Sequence, residues 1–492
     1  MFGGCGGSPE HRRAIASSNL LHRFSRPDCV VRPKTATQVQ TITNEARQRN
    51  LKVTIKCNGH SYAGHSTAVV GISLDLHDMK DVLLDMNSKT VTMDAGCQWD
   101  MVYETLVIGK HDGYIINGGR CPTVGVSGFI LGGGLGPFTR SFGMGCDTLV
   151  EVKIVTADGK LVTVGKDSKP GSPEAKLFWA LQGAGGANFG VVVQMKLSVQ
   201  KLSSLNGMVV AGRYRWLPEG GFTNDTLKIM NGFYLIDWPR QMTIDTTWIC
   251  DLRESNNKGA IRFTISFDGS QDTYNRTIDK QLFKLKEQLK RRALAEKSTR
   301  YLHESLASQW VEKMERAYPK NKSYELYSSF CFANDDKRII EQATAAIAER
   351  MATFRQDGWM ERDMRMFLAS VKKRLRPLSL NGTAAFINFP DRDFPTKSHE
   401  RAYFGENRDE LREIKQMWDP EKFFAWSQGV RRPGDPEEDR GVDDEDDDEA
   451  KADKLAREEW GKRGWEFSEP RDMNAEADRL ADLGFDEFSD DD

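Results

Sequence analysis

The sequence predicts an α+β fold in two domains followed by a charged tail, on three observations. Between residues 26 and about 200, short β-rich runs alternate with helical patterns and are punctuated by two glycine-dense turns. From about 203 to 380 the texture changes to longer strands divided by long helical runs, without such turns. After Pro433 the chain reads GDPEEDRGVDDEDDDEA, too charged to bury a core. At 492 residues the chain also exceeds the size at which one hydrophobic core stops growing. The expected organisation is a leader over 1–25, a first domain over 26–202 and a second over 203–380. A segment over 381–430 then returns to the first domain, and 431–492 forms a largely disordered acidic tail.

Taken in order, Thr37 is a candidate cap for a helix whose apolar positions Val39, Ile42 and Ala46 recur at helical spacing. LKVTIK then reads as a strand, NGHSYAGHS as a turn, VVGISLDL and TVTMDAG as strands, and WDMVYETLVIGKH as an amphipathic helix. The stretch Gly118 to Asp147 follows, with glycines at 118, 119, 125, 128, 132, 133, 134 and 136. Interleaved Val124, Val126, Phe129, Ile130 and Leu135 mark it as a packed loop rather than a polar linker. LVEVKIVTADGKLVTV is a hairpin turning at Asp158 and Gly159, and KLFWALQG leads through GAGGANFG into the strand GVVVQMKLSV. In the second domain MTIDTTWICDL, AIRFTISFDG and YELYSSFCFA read as strands of an antiparallel sheet. QLFKLKEQLKRRALAEK and RIIEQATAAIAERMATF read as helices covering one face. TAAFINFP reads as a further strand, and RAYFGENRDELREIKQMWDP as a helix.

No run of about 18 apolar residues predicts a membrane span, and neither the N-terminal nor the C-terminal residues resemble a targeting signal, so a cytoplasmic location is expected. Eight scattered cysteines without a CxxC pair fit neither a disulfide scaffold nor a zinc site, and no metal is expected. The formal charge of −3 conceals a division. Residues 431–492 hold 25 acidic and 10 basic side chains, net −15, which leaves 47 and 59 to residues 1–430, net +12. The tail is a possible site for a protein partner; no nucleic-acid partner is expected. GxGxxG, GxxxxGK[ST], HExxH and GxSxG are all absent, which argues against a Rossmann oxidoreductase, a P-loop ATPase, a zinc protease and a serine hydrolase.

What the chain does contain is His60 in NGHSY and Cys121 in RCPTVGVSG, each on a turn beside glycine. With GGGLG, LFWALQGAGGANFG, YFGEN and WDPEKFF in that order, the sequence resembles the berberine bridge enzyme-like flavoproteins of the vanillyl-alcohol-oxidase superfamily. The resemblance runs over Arg26 to about Leu202 and Ala384 to about Val430. It implies a PCMH-type FAD-binding domain with FAD attached twice, through His60 and Cys121, an arrangement that retains a solvent-open cofactor and raises its potential. It further implies that Asn58, Gly59 and Ser61 offer N–H groups to the pyrophosphate. Val124, Val126, Gly133, Gly134 and Gly136 would line the flavin, Gly190 and Val191 the adenine end, and Tyr403 and Asn407 would close the flavin side. The expected reaction is hydride transfer to flavin from a C–H beside a hydroxyl or amine of a small molecule, with molecular oxygen reduced to hydrogen peroxide. The small Val124 points to an oxidase rather than a dehydrogenase.

One departure bears on the chemistry. Many relatives carry Tyr-x-Asn-Tyr where this chain reads Phe386, Ile387, Asn388, Phe389. Phenylalanine accepts no proton, so the base lies elsewhere: Tyr62 of GHSY is the first candidate and a carboxylate or tyrosine of the second domain the next. Asn388 is expected to orient flavin or substrate. The competing readings are a dehydrogenase with another electron acceptor, or a flavoprotein scaffold that has lost catalysis.

Overall fold

The computed structural model describes residues 2–3, 19–22, 25–204, 206–218, 220–249, 259–281, 293–317, 325–333, 335–354, 361–395 and 398–436. Residues 1–441 form one compact unit; the second unit, 442–492, lies outside the described residues. So do most of the leader, the run 282–292 and the tail from 437 onward.

The N-terminal part pairs a small parallel arrangement with a larger antiparallel one. Strands Cys29–Val31 and Val53–Lys56 flank Ile72–Asp75, both parallel to it. The helix Ala36–Gln48 makes the crossover. Its cap is Thr35, whose extended backbone lets the hydroxyl accept from Gln38 N, so Thr37 lies inside the first turn instead. The second sheet has five antiparallel strands in the order Val82–Asp85, Thr90–Asp94, Gly190–Ser198, Leu149–Thr156, Leu161–Gly165. The turn of its hairpin needs Gly159, at φ +76°. Between the sheets and the helix Trp99–Ile108 lies the first core, with Trp99, Tyr103, Val126 and Val191 essentially inaccessible.

A third sheet, also antiparallel, runs Met242–Ile249, Ala260–Phe267, Met208–Trp216, Leu294–Lys297. Because successive side chains alternate, its two faces differ. Val210, Tyr214, Trp216, Ile261, Phe263 and Ile265 form one face and build a second core with Met230 and Phe233 of helix Asn224–Tyr234 and Tyr274 of helix Gln271–Gln281. Helices therefore cover one face of the sheet, as the sequence predicts, but the covering helices are not the two expected: of QLFKLKEQLKRRALAEK, Leu294–Lys297 is the edge strand paired with Met208–Trp216, and 282–292 lie outside the described residues. The opposite face carries Arg213, Arg215, Asp245, Thr247, Arg262 and Thr264, which alternate with those apolar residues along their strands.

Two expected strands are absent. Residues 325–333 and 383–390 run beside each other without a ladder: Cys331 N donates to Ala384 O (3.1 Å), and Ser329 Oγ accepts from Phe386 N (2.8 Å). A turn closed by Phe389 N on Phe386 O, followed by Pro390, stops the pairing from extending. The glycine stretch expected as a loop also holds a short helix, Val126–Leu131.

Candidate functional site

A cavity of about 500 Å³ opens between the glycine-rich turns and the polar face of the third sheet. Of the residues singled out in the sequence, Asn58, Gly59, His60, Ser61, Tyr62, Cys121, Val124, Gly190 and Asn388 line it. His60 and Cys121 meet at one hydroxyl: Thr123 Oγ1 lies 3.1 Å from His60 Nε2 and 3.4 Å from Cys121 Sγ. Burial pushes the His60 imidazole below its usual pKa, outweighing the hydrogen bond with Thr123, so the ring is neutral at pH 7 and keeps a nitrogen lone pair. Cys121 is 8% exposed.

Gly128 and Gly186 supply the room. A Cβ on Gly128 would meet nothing within 4 Å, and one on Gly186 only Leu131 Cδ1 at 3.8 Å, so backbone borders empty volume at both. A flat ring system against these glycines, within reach of His60 and Cys121, fits the residues present.

Other expected contacts are not at the cavity wall. Val126 and Val191 are core residues. Gly134 and Gly136 make room for protein rather than ligand: a Cβ would sit 2.4 Å from the Phe129 ring and 2.1 Å from Gly118 O, respectively. Gly133, at φ +102°, faces Met144 in the same way. Tyr403 is turned to Gln428, its hydroxyl donating to Oε1 at 2.8 Å, and Asn407 is exposed at the turn before helix Arg408–Trp418.

Tyr62 stacks on Tyr327 with ring centroids 3.7 Å apart, and Phe389 lies 6.4 Å from Tyr62 in a nearly parallel plane. Burial, reinforced by the neighbouring Tyr62 hydroxyl, holds the Tyr327 phenol far above its usual pKa. Asn388 donates through Nδ2 to Phe129 O at 2.9 Å, and its Oδ1 occupies the space a side chain at Gly132 would need. Its amide thus pins the C-terminal segment to the glycine stretch.

Sequence reasoning missed the polar wall. Arg120, next to Cys121, reaches Asp245 of the third sheet, Nη2 to Oδ2 2.8 Å. Asp245 is the only carboxylate among the described residues lining the cavity. Burial opposes the charge on Arg120, but Asp245 and nearby tyrosines outweigh it and raise its pKa. Arg213, Arg262, Thr247 and Thr264 complete this wall. The alternation in MTIDTTWI and AIRFTISF places these residues on one face; only the packing reveals which face meets the cavity. Among the described residues, no His/Cys/Asp/Glu group could hold a metal ion and no helix is long and apolar enough to cross a membrane.

Residues 27–165 match the family described as FAD binding domain, and 385–431 the one described as berberine and berberine like. An uncharacterized FAD-linked oxidoreductase of Bacillus subtilis, YgaK, is 26% identical over 86% of this chain and 95% of its own length. Berberine bridge enzyme-like 5 of Arabidopsis thaliana is 29% identical over 43% of this chain and 40% of that protein. Among solved structures, a chitooligosaccharide oxidase superposes with a TM-score of 0.71 at 17% identity, covering 88% of this chain and 97% of the other. The xylooligosaccharide oxidase of Myceliophthora thermophila C1, bound to xylobiose, gives 0.71 at 20% identity over the same shares.

Proposed function

We propose that the chain is a berberine bridge enzyme-like FAD-linked oxidoreductase, an oxidase of a small hydroxyl-bearing molecule with its flavin attached through both His60 and Cys121. The observation that carries the reading is the meeting of His60 and Cys121 at Thr123, on the wall facing Asp245. FAD, when bound, would supply a two-electron acceptor for the hydride of the substrate carbon, with molecular oxygen as the final oxidant and hydrogen peroxide as its product.

The remaining steps belong to the protein. Asp245 takes the proton of the substrate hydroxyl, the role Phe389 is unable to fill. It is favoured over Tyr62, whose ring is stacked face to face on Tyr327, because its carboxylate is half exposed to the cavity and held by the arginine adjacent to Cys121. Arg120 fixes one carboxylate oxygen and leaves the other to the substrate. Val124, small and at the cavity wall, leaves oxygen a path. Asn58, Gly59 and Ser61 offer the polar turn for the phosphates.

The test is direct. Protein precipitated with acid and washed in denaturant should stay yellow. His60→Ala and Cys121→Ala should each retain one attachment, and the double variant none. A colourless wild-type pellet overturns the covalent reading.

A further inference from the structure

We infer that Tyr301 is a positioning residue for the flavin: it holds the Arg120 guanidinium as a fixed cation on the wall beside Cys121, where the ring takes up negative charge on gaining an electron pair. The inference deepens, and rests on, the reading of the cavity as a flavin site. Tyr301 opens a π-helical turn, Tyr301–Ser305, and is fully buried. The wider turn brings Tyr301 and Leu306 nearer to one face than an α-helix would, and both are buried in the first core. The Tyr301 ring meets Phe138 edge to face at 5.8 Å, and its oxygen lies 2.5 Å from Ser266 Oγ on the strand Ala260–Phe267. The same hydroxyl lies beside the Arg120 guanidinium. A guanidinium only donates, so Tyr301 presents its lone pairs to Arg120 and turns its proton to Ser266.

Arg120 is thereby held at both ends. Tyr103 donates to Gly119 O at 2.7 Å and fixes the backbone before it, while Asp245 and Tyr301 flank the guanidinium. A long side chain left free would have to be drawn into place as charge develops. One already locked needs no such rearrangement, which is what makes a buried charge effective. The cation persists, because Asp245 and the two tyrosines outweigh the burial that opposes it. Arg120 lines the cavity between Gly119 and Cys121, so its charge acts on the ring that Cys121 would carry. Asp245 acts there with the opposite sign. The Arg120 side chain is 26% exposed and that of Asp245 51%, so water screens the carboxylate more and the cation prevails.

The experiment titrates the flavin-loaded protein with sulfite and follows loss of the visible flavin band. Sulfite donates a lone pair to the ring, a sulfur–nitrogen bond forms, nothing leaves, and the ring keeps the added negative charge. The reduction potential of the flavin is measured alongside, because it involves no added anion. Arg120→Gln is expected to weaken sulfite binding about tenfold or more and Tyr301→Phe about threefold, each also lowering the potential. Arg120→Lys should fall between Arg120→Gln and the wild type. Asp245→Asn should tighten binding and raise the potential. Adding Tyr301→Phe to Arg120→Gln should change nothing further, since the tyrosine acts through the arginine. Ser266→Ala, which leaves the Tyr301 ring in place and removes the partner of its hydroxyl, should follow Tyr301→Phe in direction, and it decides the matter if Tyr301→Phe fails to fold. Unchanged affinity and potential in Arg120→Gln overturn the inference, as does a wild type that binds no sulfite. A full Tyr301→Phe effect on top of Arg120→Gln overturns it too, as does weaker sulfite binding at an unchanged potential, which would make Arg120 an anion site only. Protein that carries no flavin refutes the reading of the cavity, a separate failure.

Discussion

Asp245 and His65 carry the predictions that belong to single residues. Asp245→Asn should slow flavin reduction about 10²- to 10⁴-fold with flavin content unchanged, whereas Tyr62→Phe should cost less than about tenfold; stopped-flow bleaching separates them. His65 lies 3.7 Å from the Trp426 ring, and burial, then the nearby His22 and His399, push its pKa down to about 3. A folded value below the unfolded one means the unfolded chain binds the proton first as pH falls. The stability tied to neutral His65 is therefore complete above about pH 6.5 and is lost as pH drops toward 3, by at most about 1.4 kcal/mol per unit. Denaturant titrations at pH 7.5 and 5 should show that slope, and His65→Gln should flatten it. At this scale the two tether candidates were legible, because each sits beside a glycine turn in the sequence. Arg120 and Asp245 were not, because their pairing joins positions far apart in the chain and depends on which sheet face turns inward.

Among elements, the glycine stretch shows why composition reads incompletely. Its glycines look alike in sequence, yet Gly128, like Gly186 of the second glycine turn, borders open volume, while Gly134 and Gly136 accommodate Phe129 and Gly118. Gly128→Ala, inside the helix Val126–Leu131, should leave the fold intact or up to about 1 kcal/mol more stable while reducing bound flavin. Gly136→Ala should instead lower the yield of folded protein. The C-terminal helix Arg408–Trp418 behaves differently again: its strong apolar pattern and the WDPEKFF that follows were readable, but the reason for the motif was not. Lys415 is buried, donating to Asp419 Oδ2 (2.7 Å), Asn188 O (2.5 Å) and Phe424 O (2.6 Å), while Asp419 accepts from Phe423 N and Phe424 N. Asn188 also accepts from Val430 N, so one buried polar network clamps the second glycine turn to the end of the chain. Lys415→Met strands the Asp419 charge and should cost about 3–5 kcal/mol, read from the shift in denaturant midpoint. Residues 325–333 and 383–390 mark the limit of pattern reading: apolar alternation is present, but side-chain bonds from Ser329 replace the ladder.

At the scale of the whole molecule, the compact unit ends at Gly441 and the acid-rich segment follows it. Truncation after Pro436 should leave the melting temperature within about 2 °C and the flavin content unchanged, because the sequence beyond it is too charged to bury a core. The strand Met208–Trp216 has a consequence for motion. Val209 and Ala211 are embedded in the first core, and Val210, Tyr214 and Trp216 in the second. One backbone is thus a wall common to both, and rotating either core against the other would tear buried side chains out of its neighbour. Large hinge closure is unavailable to such a body. Ligand entry must then proceed through side-chain rearrangement and small loop displacements at the mouth. Turnover should accordingly be insensitive to solvent viscosity, unlike that of an enzyme that opens and shuts as two rigid halves.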